Sequence, residues 1–175
     1  MGNDADKPQA NAKSLASHKE VPSSIWHNPI HFLAFGFGSG AMPFAPGTFG
    51  TLVAVPMYWF LQPLSLWAYL TVVLVVTVVG VWICDVTSRD IGVHDHGGIV
   101  WDEIAGYLIT MIAAPAGWQW IVLGFVLFRI FDIIKPWPIG WVDRRVHGGL
   151  GIMLDDVLAA VFAWLVLQGI VLVVV

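Results

Sequence analysis

Across residues 21–84 the sequence contains no Asp, Glu, Lys or Arg. A soluble domain carries roughly 25% charged residues spread over its surface, so a run of this length without charge excludes an ordinary water-facing fold. Charged residues make up only 11% of the chain, against 58% hydrophobic, and ten tryptophans are present. Cysteine is almost absent as well. Cys84 stands alone, which excludes disulfide frameworks and thiolate zinc sites. It also fails as a cysteine-phosphatase nucleophile, because Arg89 comes one residue too early and Asp90 occupies the required place. Residues 1–24 mix Lys7, Lys13 and Lys19 with Asp4, Asp6 and Glu20. They lack the basic head, apolar run and cleavage site of a signal peptide. They read as a disordered polar tail before a single domain over residues 25–175.

What is present is apolar sequence in lengths suited to a bilayer, where about 20 residues make a crossing. Leu66–Cys84 and Val157–Val175 meet that length, and Thr48–Leu61, Ile99–Ala114 and Trp118–Ile134 are shorter or carry charge near one end. Ile25–Phe37 is apolar but short, and is expected to lie in the interface or enter partway. In hydrocarbon only helices or closed barrels satisfy the backbone, and strict alternation is missing. The expectation is therefore an all-α, polytopic membrane bundle of four to five spans plus a short interfacial or re-entrant N-terminal segment.

Following the spans back and forth puts every charged residue on one side. The connectors Gln62–Ser65 and Ala114–Gly117 carry none, whereas Asp85, Asp102-Glu103, Asp132, Lys135 and Asp155-Asp156 mark the other ends. All eight Lys and Arg residues share that side, so the positive-inside rule makes it cytoplasmic. The expected location is the bacterial inner membrane, with the site on its cytoplasmic face.

Nine acidic residues fall between Asp85 and Asp156, against five Arg and Lys. Carboxylates brought together repel unless they share a cation. Oxygen ligands of this kind suit Mg²⁺, which takes one or two carboxylates, keeps waters and touches substrate phosphate. Asp95, Asp102, Glu103, Asp155 and Asp156 are the candidate metal ligands. Asp102, Asp132 and Asp156 are candidates for attack or proton transfer. His94 and His96 alternate and make a poor bidentate pair, so they are expected to line the entrance. The helix dipole, which favours acids at helix N-termini, accounts for part of the pattern without any metal.

Arg129 and Asp132 share a helix face at i,i+3. An arginine this deep should face the bundle interior, either paired with Asp132 or forking onto phosphate oxygens with Lys135 as a second positive charge. Gly36–Thr51 is glycine-rich, which lets backbone approach an anion. Ser39 is a candidate phosphate donor within it, and Thr48 a candidate helix cap and substrate contact. Arg144-Arg145 suits anionic headgroups. Gly148-Gly149-Leu150-Gly151 reads as a turn delivering the acidic pair.

Four blocks carry a resemblance: Gly36–Leu52, His94–Thr110, Phe128–Ile139 and Gly148–Ala160. In this order they resemble the phosphatidylglycerophosphatase A family over about Asn28 to the end. The resemblance implies Mg²⁺-dependent hydrolysis of phosphatidylglycerophosphate to phosphatidylglycerol and phosphate. The implied partners are the lipid phosphate substrate and membrane lipids, with no nucleic acid and no protein partner. A rival reading is a small ion transporter with a cytoplasmic carboxylate vestibule. Carboxylates at one rim and an uncharged far side argue against it, since transporters bind near the midplane with access from both sides.

Overall fold

The computed structural model describes residues 21–93 and 96–174. Among them the regular structure is all helical. The helices are α1 (Pro29–Ala34), α2 (Pro46–Leu61), α3 (Leu66–Ile91), α4 (Trp101–Thr110), α5 (Trp118–Ile134), α6 (Ile139–Asp143) and α7 (Gly148–Val174), with 3-10 turns at Ser23–Trp26 and Gly36–Ala41. The polar tail lies outside the described residues up to Glu20, but residues 21–24 belong to the fold. Ser24 Oγ lies 2.9 Å from His31 Nδ1, and His31 Nε2 lies 3.0 Å from Asp90 Oδ2, which clasps the N-terminal segment to the end of α3.

α3 and α7 are long and apolar enough to cross a membrane, and only 22% of each apolar window is buried within the protein. The core helix of a soluble protein would be mostly covered. Here Trp67, Leu74, Val78 and Trp82 on α3 and Leu172 and Val173 on α7 are exposed, and their surroundings must be apolar. The chain is built as a membrane protein.

The end of α3 and the start of α7 differ from the sequence expectation. α3 does not stop at Asp85; it runs on to Ile91, where left-handed Gly92 ends it by donating to the Ser88 and Arg89 carbonyls. α7 starts at Gly148 rather than at the acidic pair, so Gly148–Gly151 is helix and not turn. The reason is close packing: a Cβ on Gly149 would overlap the Val81 carbonyl oxygen of α3. Asp85 Oδ1 accepts from Gly149 N at 3.1 Å, so α3 supplies the cap that the first turn of α7 lacks.

α4 is the centre of the bundle, packing against α7, α2, α3 and α5. Its ten residues extend about 15 Å, half of the roughly 30 Å hydrocarbon thickness. The expected span Ile99–Ala114 therefore contains a helix that ends inside. Ala113 has φ +56°, which turns the chain back. The carbonyls freed there find donors: Tyr69 Oη donates to Leu108 O at 2.7 Å, and Trp164 Nε1 and Gln168 Nε2 both donate to Ile112 O at 3.0 Å. Irregular backbone at depth is tolerated when buried this way.

Small residues let the helices close on α4. Gly106, Ala159, Ala160 and Ala163 are buried, as in packed membrane helices generally. A Cβ on Gly106 would sit 2.5 and 2.6 Å from the Phe128 ring and 3.3 Å from the Asp156 carbonyl oxygen. Gly106→Leu is expected to cost about 1–3 kcal/mol or more through overpacking, read as a lowered Tm in detergent. An unchanged Tm would mean that α4, α5 and α7 do not meet there.

Candidate active site

The two acidic pairs arrive by different routes. Asp102 and Glu103 stand in the first turn of α4, where the dipole favours them. Asp155 and Asp156 lie two turns inside α7, so that explanation does not reach them. Asp156 is 3% exposed, Asp155 6% and Asp132 9%. Carboxylates are almost never buried to this degree without a partner.

They line one cavity of about 200 Å³ at a single end of the bundle, together with Gly97, Ile99, Asp102, Glu103, Lys135, Asp143, Val146, Gly151 and Ile152. Carboxylate oxygens of Asp102, Glu103 and Asp156 lie within 4.8 Å of one another. Glu103 Oε2 and Asp156 Oδ2 are buried and accept no hydrogen bond among the described residues. Two oxygens held by one Mg²⁺ at about 2.1 Å each lie at most about 4.2 Å apart, so small side-chain rotations bring these three onto one cation. An all-oxygen, carboxylate-rich donor set with orphaned lone pairs fits a hard divalent ion.

Two cations edge the cluster. Arg129 Nη1 donates to Asp132 Oδ2 and lies 3.9 Å from Glu103 Oε1. Its side chain borders the cluster without lining the cavity. Lys135, left-handed at the C-cap of α5, donates to Asp155 Oδ2 and, at 2.9 Å, to Asp143 Oδ1. Burial opposes the lysine charge, but the Asp155 and Asp143 carboxylates outweigh it and hold the pKa above the ordinary lysine value. Lys135 thus anchors Asp155 rather than standing open to an anion.

The glycine-rich segment reaches the cluster through a residue that the sequence did not single out. A Cβ on Gly47 would overlap Glu103 Oε1 and lie 3.1 and 3.2 Å from the two Arg129 Nη atoms. Ser39 instead donates to Gly36 O at 2.8 Å within its own loop, and neither Ser39 nor Thr48 lines the cavity. Thr48 is not the cap of α2: left-handed Ala45 holds that place, with Pro46 starting the helix. His94 and Asp95 lie outside the described residues. His96 is buried, its Nδ1 accepting from Gly98 N at 3.1 Å. Asp143 was also missed as a site residue. Asp85, by contrast, is spent on capping α7 and pairing with Arg89.

Residues 32–171 match the family model described as Phosphatidylglycerophosphatase A. The chain belongs to that family. A phosphatidylglycerophosphatase A of Escherichia coli (strain K12) is 52% identical over 153 residues, 85% of this chain and 88% of that protein. One from Haemophilus influenzae is 47% identical over 145 residues, covering 82% and 89%. A putative phosphatidylinositol-3-phosphatase of Bacteroides thetaiotaomicron is 39% identical over 140 residues, covering 75% and 87%. No solved structure matches the chain. The match to the phosphatidylglycerophosphatase A family thus covers the bundle from within α1 to near the end of α7, with every described carboxylate of the cavity inside the matched residues.

Proposed function

We propose that this chain is a lipid-phosphate phosphatase that hydrolyses phosphatidylglycerophosphate to phosphatidylglycerol and phosphate at the cavity between α4, α5 and α7. The observation that carries the reading is the meeting of Asp102, Glu103 and Asp156 oxygens within 4.8 Å beside Arg129, at the charged end of a membrane bundle. These three carboxylates would hold Mg²⁺, which when bound polarises the phosphoryl oxygens and offsets their charge.

The protein's own groups do the rest. Hydrolysis joins a water oxygen to phosphorus, breaks the bond to the lipid oxygen, and moves one proton from water to that leaving oxygen. We assign the proton relay to Asp132, which lines the cavity outside the three-oxygen cluster and is oriented by Arg129. Arg129 keeps a fixed positive charge between Asp132 and Glu103 at the cavity's border, where it offsets the carboxylate charge that an incoming phosphate meets. Lys135 and Asp143 hold Asp155 at the margin.

The same reading sets the topology. Beyond α3 and α7, helices α2 and α5 span 16 and 17 residues, roughly 24–26 Å, and we read them as further crossings. Arg89, Arg129, Lys135, Arg144 and Arg145 then share the cytoplasmic side of a bacterial inner membrane.

Phosphate release by purified protein tests the activity. Phosphatidylglycerophosphate should be turned over with Mg²⁺ and not after chelation, and phosphatidylinositol 3-phosphate should be the poorer substrate. No release from either lipid at any Mg²⁺ concentration would overturn the proposal. Gly47→Ala checks the geometry behind it. Its Cβ must push Glu103 aside, and a displacement of about 1 Å at a reacting centre can cost roughly 10²-fold. Turnover should fall by about that factor while circular dichroism stays unchanged; full activity would detach Glu103 from the site.

A further inference from the structure

Among the described residues, most cations are already spent on carboxylates. Arg89 is tied to Asp85, Arg129 to Asp132, and Lys135 to Asp143 and Asp155. Arg144 and Arg145 are exposed and form no ion pair with any described residue. Their place is specific. Asp143 and Val146, on either side of the pair, both line the carboxylate cavity, so the two arginines stand on its rim. Close packing fixes that rim. A Cβ on Gly151, in the first turn of α7, would overlap the Val146 carbonyl oxygen, and Arg145 N and Val146 N both donate to Val142 O at 2.9 Å. The Arg145 guanidinium lies 5.2 Å from the centre of the Trp141 ring, within cation–π range. Trp141 and Trp137 are 47% and 82% exposed, while Ile139, Gly140 and Val142 turn inward.

α6 is thus a two-faced helix at the charged end of the bundle. Its inner face packs on α7, and its outer side, with the residues next to it, offers two indoles and two guanidinium groups. Tryptophan favours the headgroup level of a bilayer, and basic clusters there attract anionic lipid. The cavity itself is poorly suited to first contact with an anion. Six carboxylates line it against one lysine, and two of them hold that lysine. A phosphate-bearing lipid therefore needs a cation outside the cavity, and Arg144-Arg145 is the pair placed for it. Free phosphate would find the same charge but has no use for exposed indoles, which leaves a lipid as the occupant.

We propose that Arg144 and Arg145, with Trp137 and Trp141 beside them, bind the phosphodiester of an anionic membrane phospholipid on the rim of the carboxylate cavity. The pair captures lipid and takes no part in the chemistry. A phosphodiester held there gains equally before and during reaction, so the contact changes affinity and not the rate of the chemical step. The kinetic consequence rests on the lipid-phosphatase reading; the binding does not.

Two measurements on the full-length protein test it. The first uses phosphatidylcholine vesicles in which phosphatidylglycerophosphate is the only anionic lipid. There Arg144→Gln with Arg145→Gln should raise KM about tenfold at low salt, the scale of removing two basic side chains from a lipid surface, and leave kcat unchanged. The difference should shrink as salt rises, because exposed charges are screened. Arg144→Lys with Arg145→Lys keeps the charge and should restore KM to within about twofold. An unchanged KM in the double Arg→Gln variant, a fall in kcat alone, or a double Arg→Lys variant equally impaired would overturn the proposal. The second measurement needs no turnover. Phosphatidylglycerol, which carries a phosphodiester but no terminal phosphate to hydrolyse, and phosphatidylcholine are each given a photoreactive group near the headgroup and cross-linked to the protein in vesicles. Labelling of residues 136–147 by phosphatidylglycerol in excess over phosphatidylcholine, and lost in the double Arg→Gln variant, supports the site even if the phosphatase reading fails. Equal labelling marks annular lipid only, and labelling displaced by inorganic phosphate but not by chloride at the same ionic strength marks a free-anion site; either result overturns it.

Discussion

Turnover of an Asp156→Asn variant is expected to fall about 10³-fold, since electrostatic stabilisation by a bound cation is worth several kcal/mol and each ~1.4 kcal/mol is a factor of ten. The same change should raise Tm in the presence of a chelator. Asp156 is buried with its oxygens close to those of Asp102 and Glu103, and without a cation these groups repel one another. Removing one charge relieves that repulsion, a case of stability gained where function is lost. Kinetics over a range of Mg²⁺ together with thermal unfolding in chelator decide it. Near-normal turnover, or a Tm that drops in chelator, would make Asp156 a structural polar group.

Arg129→Lys separates charge from shape at the other side of the cluster. Lysine can keep a positive charge opposite Asp132 but loses the planar two-point contact. Turnover is expected to fall by roughly 10²–10³, the range for removing one preorganised electrostatic donor, with little change in Tm. Arg129→Ala should behave differently, because it leaves Asp132 and Glu103 without their cation and breaking a buried pair costs about 3–5 kcal/mol. A lysine variant with near-normal turnover at saturating Mg²⁺ would leave Arg129 a purely structural role.

The helical class and the helix Trp118–Ile134 could be read from apolar length alone, because in hydrocarbon the backbone has few alternatives. The meeting of Asp102-Glu103 with Asp155-Asp156 was also legible, since acids are tolerated at depth only in company. Other features depended on packing that no linear pattern carries. Hydropathy cannot show that the chain turns at Ala113, because the residues beyond it remain apolar. The Gly148–Gly151 run resembles a turn, yet close approach to Val81 keeps it helical. Ser39 and Thr48 are the right chemical types in the right segment, but a local carbonyl takes the first and Pro46 starts the helix before the second. Lys135 was expected on phosphate; the acids on both sides of it, one of them the overlooked Asp143, hold its ammonium.

The short α4 has a bearing on how the enzyme tolerates its surroundings. Membranes differ in thickness by several ångströms, and helices in contact with lipid adjust by tilting or by deforming the bilayer. α4 ends inside the protein, surrounded by α2, α3, α5 and α7, with the Leu108 carbonyl of its last turn held by Tyr69 and the Ile112 carbonyl just beyond it held by Trp164 and Gln168. Hydrophobic mismatch therefore acts on α3 and α7 and reaches Asp102 and Glu103 only secondhand. The carboxylates of α4 ride on a strut suspended within the bundle, insulated from changes in the lipid composition of the membrane whose lipids the enzyme makes.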